Sequence, residues 1–170
     1  DGCVQLRDAH GLRAADIARI ELRVHPLVLE LTGKRTPQTG LESKFSVYHA
    51  CAAGIIFRQA GESEFSDEAV RRPDVIALRD RVQATADTAV DEASADVTVV
   101  LADGRTHRVF VERAIGSLER PMSDADLARK FHGLVDPVLG SAAADGLFAG
   151  AMALAAAPDV RALVAQARPR

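Results

Sequence analysis

An α+β fold, with a small mixed or antiparallel sheet of about four strands and helices packed on one face, is predicted by three features of the sequence. Residues 16 to 25 alternate apolar and charged side chains, Ile20, Leu22 and Val24 against Arg19, Glu21 and Arg23, which is the period of a strand with one dry face. Asp103-Gly104 sits between two runs rich in β-branched residues and supplies the positive φ of a tight hairpin turn. Residues 40 to 60 are apolar around nearly a whole helical axis, so the helix predicted there belongs inside the protein. With 170 residues and 48% hydrophobic content, the chain can close one sizeable core, and a single domain over residues 1–170 is expected.

Taken in order, Cys3, Val4, Leu6 and Leu12 read like a helix already in progress, with its stop at Gly11. There is no initiator Met, and the chain is expected to be cut from something longer. Strand one follows over residues 16 to 25, ended by Pro26. Residues 26 to 38, with the polar stretch Gly33-Lys34-Arg35-Thr36 before Pro37, predict an irregular connection of the kind that often carries function. Thr39 with Glu42 has capping-box spacing and starts the apolar helix. Ser66 and Pro73 each mark the start of a short helix within residues 67 to 80. Residues 82 to 87 read as a strand, and 96 to 101 with 106 to 111 as the hairpin. Ser123, with Asp124 and Asp126 behind it, caps a helix over 124 to 135, and the Ala-rich tail from Ser141 predicts one or two more helices broken near Pro158.

Composition removes several classes of function. A net charge of -3, from 21 basic and 24 acidic residues with no run of one sign, argues against nucleic acid as a partner. The longest apolar runs, around residues 50 to 57 and 149 to 157, fall short of the ~20 residues needed to span a bilayer. No secretory signal opens the chain, so the cytoplasm is the expected compartment. Cys3 and Cys51 are expected to be reduced thiols. His10, His25, His49, His107 and His132 lie on different elements at no metal-ligand spacing, and no metal site is expected. Phosphate loops, nucleophile elbows and paired-cysteine motifs are absent from the sequence.

Chemistry therefore concentrates in residues 44 to 49, Lys-Phe-Ser-Val-Tyr-His, where polar groups interrupt an apolar helix. Ser46 and His49 are three residues apart and share a helical face, with Glu42 a further turn along it. An imidazole there can exchange a proton near neutral pH, and Lys44 can hold an anion. The structural alternative stands ahead on the residues alone: Ser46 bonding within its own helix, Lys44 in solvent, His49 a satisfied core residue, Tyr48 and Phe45 core aromatics.

The same residues resemble the MmgE/PrpD proteins, which include 2-methylcitrate dehydratase, cis-aconitate decarboxylase and iminodisuccinate epimerase. The likeness rests on Asp16-Ile17, Thr36-Pro37 ahead of Glu42-Ser43-Lys44-Phe45-Ser46, the Asp103-Gly104 hairpin, Gly116 before Pro121-Met122-Ser123, and Lys130-Phe131. It implies the smaller, carboxy-terminal α+β part of a two-domain enzyme whose helical domain is missing, inactive by itself, and a homodimer is expected. It further implies a lyase or isomerase, without metal or organic cofactor, that removes a proton next to a carboxylate of a small polycarboxylate. His49 and Tyr48 then become catalytic candidates, and Lys44 and Ser46 substrate-binding ones. One departure stands out: many members have Tyr where this chain has His49 and another residue where it has Tyr48, so a 2-methylcitrate dehydratase-like label competes with an epimerase. The alternatives are a non-catalytic lid or dimerisation module over a site formed by the helical domain, and a stand-alone ligand-binding domain.

Overall fold

The computed structural model describes residues 1–168, which divide into two compact units, residues 1–120 and the described residues from 121 onward. The first unit contains a four-stranded mixed sheet in the order β2-β1-β3-β4, from β1 (Ile17–Val24), β2 (Val82–Ala86), β3 (Ala95–Leu101) and β4 (Thr106–Val111). β1 runs parallel to β2 and antiparallel to β3, and β3 pairs antiparallel with β4. The turn between β3 and β4 carries Gly104 at φ 87°, as its Asp-Gly dipeptide predicts.

The alternation in β1 places Ile20, Leu22 and Val24 in the core and leaves Arg19 and Arg23 exposed on the other face. Register carries the dry face across the sheet, with Ile20 opposite both Val82 and Val99 and Leu22 opposite Val97. Against it pack α1 (Gly2–His10), α4 (Val47–Phe57) and α6 (Pro73–Arg79), which contribute Cys3, Leu6, Cys51, Ala52, Ile55, Val75 and Leu78 to one cluster. The first unit thus has its helices on one side of the sheet. Gly11 ends α1 in the left-handed conformation at φ 62°. Cys3 and Cys51 are buried and free.

Two sequence expectations fail locally. Residues 26 to 38 are not wholly irregular, because Pro26–Thr32 forms α2. Pro26 occupies a first-turn position that needs no amide donor, and the His25 ring accepts from Leu27 N at 3.3 Å. The helix expected over 40 to 60 is two helices, α3 (Gly40–Ser43) and α4, with a break at residues 44 to 46. The Thr39 side chain caps α3 as foreseen, accepting from Glu42 N at 3.2 Å. The Glu42 carboxylate instead takes the Gln38 amide at 2.7 Å and so does not close the reciprocal box. The short helices α5 (Asp67–Arg71) and α6 fall where Ser66 and Pro73 place them.

The second unit is helical, with α7 (Asp124–Leu139), α8 (Ser141–Met152) and α9 (Arg161–Gln166). Ser123 and Asp126 form a full capping box at the start of α7, which runs past the expected end at residue 135 and carries Pro137 in its last turn. Phe131 of α7 and Phe148 of α8 meet with ring centroids 5.3 Å apart. Among the described residues no helix is long and apolar enough to cross a membrane.

Ile20 has no exposed surface and lies between two paired strands. Ile20→Ala should cost about 3 kcal/mol, the range for a truncated core aliphatic. Urea unfolding would read this as a lower midpoint at unchanged slope, and an unchanged midpoint would show that the core does not depend on this residue.

Candidate functional site

The site begins with the break between α3 and α4. Ser46 is extended, at φ -128° and ψ 100°, and its hydroxyl accepts from His49 N at 3.1 Å, satisfying one of the amides a helix start leaves open. Its backbone is held from outside the helix by a bridge to Gly33, while Lys34 N donates to Phe45 O at 3.1 Å. Residues 33 to 34 and 45 to 46 therefore lie side by side. α3 is pinned from the other direction. Gly40 N donates to Asp67 at 2.7 Å, and a Cβ on Gly40 would come within 2.3 Å of the Phe65 carbonyl. Only glycine fits that approach.

From this frame the candidate side chains leave in different directions. Lys44 is exposed and its ammonium sits 3.1 Å from both carboxylate oxygens of Glu62. Lys34 pairs with Glu42 at 2.7 Å. Phe45 is 54% exposed. Tyr48 is buried, and the Arg35 guanidinium lies over its ring, 4.7 Å from the centroid. Ser46 is buried at the cap. Glu42 does not join Ser46 and His49, since the break takes it off their axis to Lys34 and Gln38.

His49 has no exposed surface. Its Nε2 is 2.7 Å from the Glu64 carbonyl oxygen, and the Phe65 ring meets the imidazole edge-on with centroids 5.1 Å apart. A carbonyl only accepts, so Nε2 carries the proton and Nδ1 the lone pair. That Nδ1 is buried without a hydrogen-bond partner. Burial pushes the imidazole below its ordinary pKa, the nearby Arg79 charge adds to this, and the Glu64 carbonyl opposes it. The Glu64 segment is fixed in turn, because its carboxylate accepts from Ser63 Oγ at 2.7 Å, Gly61 N at 2.8 Å and Gln59 Nε2 at 2.9 Å.

The structure thus brings Ser46, Tyr48 and His49 onto one buried helix start and sets Lys44 at its rim. It also brings Arg35 to Tyr48, a partner sequence reasoning missed. The available signal was the polar stretch of residues 33 to 36, in the loop expected to carry function. Two clefts of the first unit lie elsewhere, one lined by His10, Asp16, Arg105 and His107, the other by Phe110, Arg113 and Arg120. Among the described residues no group of three or more His, Cys, Asp or Glu side chains is placed to hold a metal ion.

Comparison with known proteins matches residues 1–152 to the family described as MmgE/PrpD C-terminal domain. No curated protein matches the chain.

The imidazole of His49 should stay neutral, with its proton on Nε2, to lower pH than a free imidazole does, because burial opposes its charged form. Its folded pKa lies below the unfolded one, so between the two the unfolded chain binds a proton that the folded chain does not. This contribution to stability therefore rises with pH through that window and is lost on acidification below the ordinary imidazole value. Nitrogen-detected NMR of the ring settles it, and titration of His49 at the free imidazole pKa would contradict the burial argument.

Proposed function

The chain belongs to the MmgE/PrpD family, matching its C-terminal domain, and from that premise we propose that it is the smaller α+β part of a cofactor-independent lyase or isomerase. The substrate is a small polycarboxylate, the reaction starts with loss of a proton next to a carboxylate, and the helical domain of the same enzyme supplies the remaining acid-base groups. A 2-methylcitrate dehydratase-like reaction stands first and an iminodisuccinate epimerase-like one second, since the Tyr48-His49 order departs from the family resemblance.

One observation carries this proposal. Lys34, Arg35 and Lys44 lie on two segments stitched together by the Gly33–Ser46 bridge, at the start of a buried helix. Removing a proton next to a carboxylate builds negative charge on that group, and cations already in place stabilise it without reorganisation. The ion pairs of Lys34 with Glu42 and of Lys44 with Glu62 are surface pairs, worth 0 to about 1 kcal/mol each, so a substrate carboxylate can displace either acidic partner.

In this proposal Lys44 binds a substrate carboxylate and Tyr48 offers its phenol as the proton-carrying group of this wall. Ser46 holds the first turn of α4 in register through the His49 amide. His49, neutral and bonded to Glu64, acts as a positioning residue that fixes the rotation of α4 and hence of Tyr48. The complete burial of Ser46 and His49 in the first unit favours a second proposal, a lid that covers a site built entirely by the helical domain.

Steady-state kinetics of the complete enzyme on a panel of di- and tricarboxylates separates the two. Lys44→Gln should raise KM about tenfold, a 1.4 kcal/mol loss of carboxylate binding, with little change in kcat. Tyr48→Phe should lower kcat by about 10²-fold or more, the scale of a lost acid-base group. Wild-type kinetics in both variants would leave only the lid.

A further inference from the structure

We infer that Arg35 is the group that selects a carboxylate at this wall, reading it with the two-pronged edge of its guanidinium while Tyr48 holds that guanidinium in place. This rests on the polycarboxylate proposal and adds to it a specificity-determining residue.

Three observations lead to it. The first is charge. Of the three cations around the helix start, Lys34 and Lys44 each have a carboxylate at hydrogen-bond distance, 2.7 Å to Glu42 and 3.1 Å to Glu62. Arg35 makes no ion pair among the described residues, and its side chain is exposed. Its full complement of donors is therefore available to an incoming anion.

The second is pre-organisation. A flexible arginine loses rotamer freedom on binding, which offsets much of what it gains. Here the guanidinium rests over the Tyr48 ring at 4.7 Å, and the ring is fixed because Tyr48 is almost wholly buried in the first turn of α4. Resting over the ring, the guanidinium makes no hydrogen bond or ion pair through its N–H donors among the described residues, so they remain free for a bidentate anion.

The third is that the backbone of Arg35 is tied on both sides. Before it, Gly33 bridges Ser46 and Lys34 N bonds Phe45 O; after it, Pro37 is buried and Gln38 N bonds Glu42. The guanidinium is thus carried by a braced segment.

The ligand chemistry this suits is a planar or tetrahedral oxyanion approached edge-on, hence carboxylate or phosphate. The neighbouring Lys34 and Lys44 make a site for a molecule with more than one anionic group, and the proposed reaction selects the polycarboxylate.

Calorimetric titration of the complete protein with tricarballylate, an unreactive tricarboxylate, and separately with inorganic phosphate, tests the inference. Wild type should bind tricarballylate in preference to phosphate. Arg35→Gln should weaken tricarballylate at least tenfold, and Arg35→Lys should recover only part of the loss, since an ammonium cannot make the bidentate contact. Tyr48→Leu, which keeps the guanidinium and removes its platform, should fall between wild type and Arg35→Gln, while Tyr48→Phe should bind tricarballylate like wild type. If Arg35→Gln lowers the melting temperature, Arg35→Lys decides: weaker binding at unchanged melting supports the inference, and wild-type affinity overturns it. Wild-type affinity in Arg35→Gln, with binding lost in Lys44→Gln, would remove Arg35 and leave the polycarboxylate proposal standing. Preference for phosphate would overturn the carboxylate assignment. No binding of tricarballylate by wild type would remove the polycarboxylate proposal and this inference together.

Discussion

Everything at the candidate site follows from α4 being buried along most of its length. Tyr48, His49 and the run Cys51, Ala52, Ala53, Gly54, Ile55 have almost no exposed surface, so the helix cannot turn a polar face to water. A helix in that position satisfies its backbone internally, and its difficulty is confined to its ends, where amides and carbonyls remain open. At the far end Arg58 takes the left-handed conformation at φ 63° and its guanidinium bonds Asp8 at 2.8 Å. At the near end Ser46 caps His49 N, and the His49 ring reaches the Glu64 carbonyl. The chain breaks between α3 and α4 to make that cap, and the break leaves Lys44 and Phe45 at the surface beside residues 33 to 35. The cationic wall arises where a buried helix has to stop.

This also explains which parts were legible in the sequence. β1, the β3–β4 hairpin and the starts of α3, α5, α6 and α7 are local devices, an alternation, an Asp-Gly turn, a capping side chain or an early proline, and each acts within a few residues of its signal. The break before α4 is not local. Lys44-Phe45-Ser46 continues a helical pattern well, and a serine serves in mid-helix or as a cap. The bridge to Gly33 decides between them, and no periodicity shows that pairing. The α2 helix is hidden for a related reason: Pro26 ends a strand, yet proline is equally suited to the first turn of a helix. Arg35 escaped notice because its platform, Tyr48, lies on a different element and is brought under it by that same bridge.

The opposite face of the sheet shows how differently charge is handled away from this wall. Asp96 is buried near one end of β3 and receives a two-pronged contact from Arg108, at 2.7 and 2.6 Å, together with Arg23 at 3.1 Å. Its carboxyl is held below the ordinary range, chiefly by the hydrogen bond from Arg108. Acid and base are matched there within the first unit, and the guanidinium fork of Arg108 is already occupied. Arg35 presents the same fork with no acidic partner among the described residues. The contrast is between an arginine whose donors are taken up by a buried carboxylate and one whose donors have no acidic partner among the described residues.

The order Tyr48-His49 then has a physical sense. Successive residues on a helix point about 100° apart, so only one of the two can face Glu64 while the other lies beneath Arg35. With His49 inward, the imidazole donates from Nε2 to a carbonyl, burial holds it below its ordinary pKa, and its ring meets Phe65. With Tyr48 outward, an aromatic face supports a guanidinium. The reverse order would still let a phenol donate to the Glu64 carbonyl, but it would set an imidazole under a permanent cation, where every protonation would meet a like charge. It would also replace a tyrosine platform by a ring that titrates. The arrangement in this chain keeps the imidazole in the core, bonded to a carbonyl, and the phenol ring beneath the cation.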